Sequence, residues 1–406
     1  MPVFNFLEKY IPYALPFLLI FFRGLADFTV LIIGLVFLFK SYREKNWIWA
    51  NEKWFKFSLI FVLYLSTINV FISIDPGDSL FYALTFLRWP IFASALYFWI
   101  LKRESSLQNF IISSSVVLSF IIFDVWYQYL LGSDIFGFSK YTDTRLTGPL
   151  RQNPVVGIFI TKYLYIILTS LLIFKIFENK KIKSFYAVST ILIGFSAVFI
   201  SGERMSLILF TSSIFIIFLG FTNKIKDKIL FLLTIIFFIV IFIKLMEYVN
   251  PEIFQRAINS TLYKLKNFKD SDYGMVFRTA YETWLFNPIF GGGLHQFKEL
   301  YPLYNINIWT GARILHPHNH PLSLFVETGL VGLILFYLML FHIFKKAFGK
   351  ILKERKWFKL TLLFNLLFIC FFPFMTHFSF QHNWMNATNW LIVGLVLALS
   401  KNKNYE

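Results

Sequence analysis

The residues of this chain best suited to chemistry are four arginines and a short run of histidines. The arginines are Arg88, Arg145, Arg204 and Arg278, and the histidines lie in His316-Pro-His-Asn-His-Pro321. A guanidinium does not lose its charge, and its fork of donors matches two phosphate oxygens at once. A neutral imidazole can take the proton of an attacking hydroxyl near physiological pH. Together they suit transfer of a group from a diphosphate, with arginines holding the anion and one histidine activating the hydroxyl. His320, against the apolar run that begins at Pro321, is the spectator of the three; composition does not choose between His316 and His318. Zinc is the weaker reading of the histidine run, because no cysteine is near and three or four ligands would have to converge.

These residues need a scaffold, and the scaffold is a membrane bundle. The chain has 406 residues, 57% hydrophobic and only 15% charged, whereas soluble domains carry about 25% charged residues. Its apolar residues fall in long runs, which excludes a water-soluble enzyme, and the alternating pattern of barrel strands is absent. At about 20 apolar residues per span, twelve spans are predicted. They cover 3–22, 25–39, 57–74, 80–101, 107–131, 155–177, 185–200, 205–221, 229–246, 321–344, 360–376 and 387–400. The net charge of +17 does not point to nucleic acid, because lysines and arginines collect in the short gaps between spans. The single cysteine, Cys370, lies inside an apolar run, so no disulfide framework or thiol metal cluster is expected. The N-terminus shows neither a basic n-region nor a small-residue cleavage site, so no removable signal peptide is expected.

Alternate gaps carry the basic residues: Lys40, Arg43, Lys45, Lys53 and Lys56, then Lys102 and Arg103, then Lys180, Lys181 and Lys183. Lys224, Lys226 and Lys228 follow, then seven residues from Lys345 to Lys359, then Lys401 and Lys403. By the positive-inside rule these gaps and both termini are cytoplasmic. Residues 1–406 then form one integral membrane domain with two notable outer loops, 132–154 and 247–320. Within the second, 272–286 has helical spacing with Arg278 and Glu282 one turn apart, Asn287-Pro288 ends the helix, and Gly291-Gly-Gly293 turns the chain. Arg145 opens Arg-Leu-Thr-Gly-Pro-Leu-Arg-Gln-Asn-Pro154, and Arg204 sits in the outer turn Ser201-Gly-Glu-Arg-Met-Ser206. Arg88 lies inside the fourth span, where a charge is costly and needs a reason. Each has a plain alternative: a loop residue for Arg145, a pair with Glu203 for Arg204, a pair with Glu282 for Arg278, snorkelling for Arg88. Lys264, Lys266 and Lys269 make a basic helical patch that would meet phosphorylated sugar or lipid headgroups, or simply face solvent. A transporter or flippase is the rival reading, with Asp124 and Gln128 of the fifth span as its best features. No internal repeat supports it.

At these residues the chain resembles the O-antigen ligase and polymerase family of bacterial membrane glycosyltransferases. The resemblance runs from about Arg88 onward, with motifs in the family's order. They are Arg145 through Gly148-Pro149 to Asn153-Pro154; Ser-Gly-Glu-Arg204; and Arg278 with Trp284, Asn287-Pro288 and Phe290-Gly-Gly-Gly293. The most specific is His318-Asn319 with Leu322, Leu324, Glu327, Gly329-Leu330 and Gly332. The resemblance implies an all-α, GT-C-like bundle of about twelve spans with a large periplasmic loop over the site, in the bacterial inner membrane. It implies transfer of an undecaprenyl-diphosphate-linked glycan, inverting, without metal ion or cofactor. The acceptor would be lipid A-core in a ligase, which is the expectation here, or another lipid-linked repeat in a polymerase. Arg204 and Arg278 would hold the diphosphate with Arg88 and Arg145 as further candidates, and His318 would be the general base, supported by His316, Asn319 and Glu327.

Overall fold

The computed structural model describes residues 2–306, 308, 313–376 and 379–401. A helix lies on each of the twelve predicted spans. They are α1 (Pro2–Ile20), α2 (Arg23–Arg43), α3 (Lys53–Phe71), α4 (Pro76–Ile100), α5 (Glu104–Leu131) and α6 (Val156–Ile173). Then come α7 (Lys180–Ile200), α8 (Arg204–Gly220) and α9 (Ile225–Val249). After α10 (Asp272–Trp284), which belongs to the 247–320 loop, the chain closes with α11 (His320–Lys353), α12 (Trp357–Phe371) and α13 (Asn383–Lys401). Nine of the helices among the described residues are long and apolar enough to cross a bilayer, and α8 and α12 are shorter apolar helices. The protein is therefore an all-α, multi-pass membrane bundle. Among the described residues the only bridges are two isolated ones, Ser133–Ser139 and Thr142–Arg145.

Burial sorts the helices as their composition requires. Helix α6 is apolar almost all round, and all residues from Val156 to Leu168 are buried, as expected of a helix at the centre of a bundle. Helix α9 is equally apolar but buries only Phe231, Ile235 and Met246, so its exterior suits lipid. Two ends differ from the sequence expectation. Helix α12 stops at Phe371 rather than reaching 376, because Phe372 is extended ahead of Pro373. Helix α4 starts at Pro76, capped by the Asp75 carboxylate, which accepts from the Asp78 N–H at 3.0 Å.

The largest departure from a simple span is in α11. Gly329 takes φ 64° and ψ −171°, which breaks the helix, and the segment 288–293 threads into the break. The N–H groups of Leu330 and Val331 donate to Pro288 and Ile289 carbonyls at 3.0 and 3.1 Å, and those of Gly292 and Gly293 donate to Val326 and Glu327 at 2.9 and 3.0 Å. From α3, Tyr64 donates to the Thr328 and Phe290 carbonyls at 2.7 and 3.0 Å, and Asn69 Nδ2 donates to Glu327 and Phe290 at 2.8 and 3.1 Å. Broken helices at membrane depth persist only where other groups satisfy the freed backbone, as these do. Gly291→Ala would put a Cβ 2.5 Å from the Gly329 and Thr328 nitrogens at φ +76°, a conformation that costs an L-residue about 1–2 kcal/mol. It should sharply lower the yield of monodisperse protein after extraction. Gly349→Ala, which has open space, should not. Equal yields would mean that the threaded segment is not a structural requirement.

The 247–320 loop has its own small core. Val276, Ala280, Phe297, Leu300, Tyr301 and Ile314 pack with Val326 of α11, so α10 is fastened to the start of the helix that follows the histidines.

Candidate functional site

The site is built around the three-residue turn Ser201–Glu203 between α7 and α8. Gly202 has φ +71°, and any Cβ there would collide with the Thr144 carbonyl oxygen. Only glycine lets the turn seat on the 142–146 segment, where Leu146 N–H donates to the Ser201 carbonyl at 3.1 Å. That seating sets Arg145 near Arg204. A third arginine, Arg256, arrives from the wide helical turn Gln255–Asn259 beyond α9. Its Nε donates to the Gly202 carbonyl at 2.9 Å, while Arg204 Nε donates to the Arg256 carbonyl at 3.3 Å and Arg145 Nη2 to the Pro154 carbonyl at 2.6 Å. Each guanidinium is thus oriented by a backbone carbonyl, and none forms an ion pair with a carboxylate among the described residues. Burial first, and then the like charges of Arg204 and Arg145, pull Arg256 down to about 10. Such mutual repulsion is relieved by a bound anion.

Glu203 does not neutralise the group. Its carboxylate turns inward, accepting from Ile158 N–H at 2.8 Å and from the Ser206 hydroxyl. Burial pushes this carboxyl up to about 7 from 4.5, outweighing Ser206, Arg145 and Ile158, which pull it down. The neutral form is favoured on folding, so its contribution to stability is complete below 4.5 and is lost as pH rises through about 7. The melting temperature of the native protein should therefore fall relative to Glu203→Gln as pH rises from about 5 to about 8. Parallel curves for the two proteins would show that this carboxyl does not titrate in that window.

Tyr273, near the start of α10, connects the arginines to the histidines. Asp272 and Tyr273 lie within electrostatic reach of Arg204, and Ser271 caps the helix by accepting from Gly274 N–H at 3.1 Å. The Tyr273 ring meets His318 edge-on, with centroids 5.9 Å apart. His318 has φ 55°, a left-handed conformation uncommon outside glycine and concentrated at functional sites. Its N–H donates to His316 Nδ1 at 3.1 Å, and the two rings are 4.0 Å apart. Asn319 caps α11 by accepting from Leu322 N–H at 3.0 Å and ties it to the 373–375 segment, donating to the Pro373 and Met375 carbonyls at 2.7 and 3.1 Å. His320 is buried against Phe380. Burial, and then the neighbouring imidazoles, bring His316 down to about 3; burial and Arg23 bring His382 down to about 4. Both are neutral at physiological pH. Among the described residues no three His, Cys, Asp or Glu side chains are arranged to hold a metal ion.

Residues 189–337 match the family model described as O-antigen ligase. Over this stretch, a little over a third of its length, the chain is similar to that family. The matched segment runs from α7 into α11 and contains Arg204, Arg256, Tyr273, Arg278 and the histidine run. No curated protein matches the chain. The likeness to the family thus falls on the part of the helix bundle that holds two of the clustered arginines and the histidines.

Of the arginines singled out from the sequence, the structure brings Arg145 and Arg204 together. Arg278 is exposed on α10, and no hydrogen bond or ion pair among the described residues joins it to Glu282 or to the cluster. Arg88 is engaged elsewhere: it pairs with Asp27 at 3.3 Å and donates to Asn383 Oδ1 at 2.6 Å. Glu327 is buried and accepts from Gln381 Nε2 at 2.8 Å. Asp124 and Gln128 anchor the 132–154 loop. Asp124 accepts from Ile135 N–H at 2.8 Å, and Gln128 Oε1 accepts from both Thr147 and Gly148 N–H at 2.9 Å. In the basic patch, Lys264 pairs with Asp272 at 2.9 Å.

Proposed function

We propose that the protein transfers a glycan from undecaprenyl diphosphate to a hydroxyl of lipid A-core at the outer face of the bacterial inner membrane. The observation that carries this reading is the set of three guanidiniums, Arg145, Arg204 and Arg256, gathered around one turn and joined through Tyr273 to His318. Three cations that form no ion pair with a carboxylate among the described residues suit a diphosphate, and the lipid tail would lie along the apolar exterior. The acceptor hydroxyl attacks the anomeric carbon as its proton passes to His318. The bond to the diphosphate oxygen breaks, and the guanidiniums hold the charge that develops on the leaving group. Attack from the face opposite the leaving group inverts the anomeric centre, and no step calls for a metal ion.

In this reading Arg278 closes on the diphosphate once it binds, because an exposed arginine on a loop helix has the freedom to do so. Loops 132–154 and 247–320 face the periplasm, both termini are cytoplasmic, and residues 1–406 act as one membrane domain. The loop-anchoring roles of Asp124 and Gln128 remove the features that favoured a transporter. The test is transfer by the purified protein in detergent with EDTA, from an undecaprenyl-diphosphate glycan, with lipid A-core and a second lipid-linked repeat offered separately. Product on lipid A-core supports the reading. Product only on the lipid-linked repeat would replace ligase by polymerase, and no transfer from an intact donor would overturn it.

A further inference from the structure

Between the α1–α2 elbow and the turn 148–153 lies a cleft of about 540 Å³, within the range of small-ligand pockets. Its walls include Phe21, Phe22, Leu25 and Trp384, and its two charged residues are Arg23 and Arg151. Arg23 is the first residue of α2, donates to Asn153 Oδ1, and lies over the Trp384 ring at 5.1 Å. Arg151 is exposed at φ 60°, its guanidinium 5.9 Å from the Phe138 ring, and no hydrogen bond or ion pair of its side chain occurs among the described residues. The nearest carboxylate on α2, Asp27, is already paired with Arg88. Phe22, the residue preceding α2, supplies no side-chain cap to that helix end, so first-turn N–H groups add to the positive field there. Two guanidiniums on apolar walls, one at the start of a membrane helix and one on the adjoining turn, match a ligand that is anionic at one end and apolar at the other.

We propose that this cleft binds the phosphate-bearing headgroup of a membrane lipid, separately from the Arg145–Arg204–Arg256 cluster. The charge of the cleft selects the phosphate, and Phe21, Phe22 and Leu25 select a lipid over a free anion. The cleft adjoins the first cluster, because Asn153 bonds Arg23 while the next residue, Pro154, accepts from Arg145. His382, whose electrostatic partners include Arg23 and His316, connects it to the histidines. On the transfer reading above, and resting on it, the lipid held here is the acceptor substrate. The binding itself does not depend on that reading.

Native mass spectrometry of the full chain, delipidated in detergent and titrated with dioleoyl phosphatidate or dioleoyl phosphatidylcholine, tests the cleft without turnover. One phosphatidate should be retained in preference to phosphatidylcholine. Arg151→Gln, which breaks no hydrogen bond of the fold, should weaken retention about 10-fold, as loss of one charge-assisted contact would. Arg23→Gln with Arg151→Gln should abolish it, and Arg204→Gln with Arg256→Gln should leave it in place. Unchanged retention in Arg151→Gln overturns the proposal, as does displacement by millimolar inorganic phosphate, which would indicate a general anion site. Binding by the wild type with no transfer to any acceptor would leave the cleft standing and remove only its role as an acceptor site.

Discussion

His318→Ala is expected to lower the transfer rate by about 10²–10⁴-fold, the usual contribution of a positioned general base, with the protein still inserted and monodisperse. The residue's own geometry sets the controls. At φ 55° alanine carries a backbone penalty of about 1–2 kcal/mol, so a loss of activity in that variant alone could come from a shifted loop. Asparagine tolerates the left-handed region and has no basic nitrogen, so His318→Asn separates the two causes. Loss in both variants assigns the imidazole. Recovery in His318→Asn would mean that the position matters for its backbone, and another histidine would have to be the base. His316, 4.0 Å away, is brought down to about 3 by burial first, which makes it a poor proton acceptor. His316→Ala should therefore cost less than His318→Asn.

The spans were legible because bilayer thickness imposes a length and water imposes polar gaps, and both are properties of a local stretch of sequence. The ends of α12 and α4 were less so, since a proline neighbour and an aspartate cap decide them one residue at a time. Nothing local marks the break at Gly329. The helix opens there because the 288–293 segment supplies the missing partners, and that segment is about 40 residues away in the chain. Arg256 was passed over for the same reason: among the charged residues of a long loop, only its hydrogen bond to Gly202 sets it apart. Lys162 did have a signal. It lies well inside the predicted span 155–177, away from both ends, and such a residue calls for a partner or a function. The structure buries it completely, with Nζ donating to Asn389 Oδ1 at 2.7 Å. Arg88, inside the fourth span, and Asp27, near the start of the second, were both visible as charges, but a pairing between separate helices has no periodicity to reveal it.

Arg256→Lys should be nearly as damaging as Arg256→Ala, although it keeps the charge. Arg256 does two things at once: Nε donates to the Gly202 carbonyl at 2.9 Å, which leaves the terminal nitrogens to reach an anion. A lysine has one nitrogen and must give up either the tether or the ligand. Hydrogen bonds to charged groups are worth about 1.5–3 kcal/mol, so either variant should lose roughly 10- to 100-fold in kcat/KM for the diphosphate donor. The carbonyl at stake belongs to the glycine that seats the whole turn on Thr144, so releasing it also loosens Arg204, whose Nε leans on the Arg256 carbonyl. The two arginines hold each other, and their effects should not add. The Arg204→Ala and Arg256→Ala double variant should be little worse than the more damaging single one, as for contacting residues within one network. Wild-type activity in Arg256→Lys would reduce Arg256 to a point charge, and strictly additive losses would mean that the two guanidiniums act at separate places.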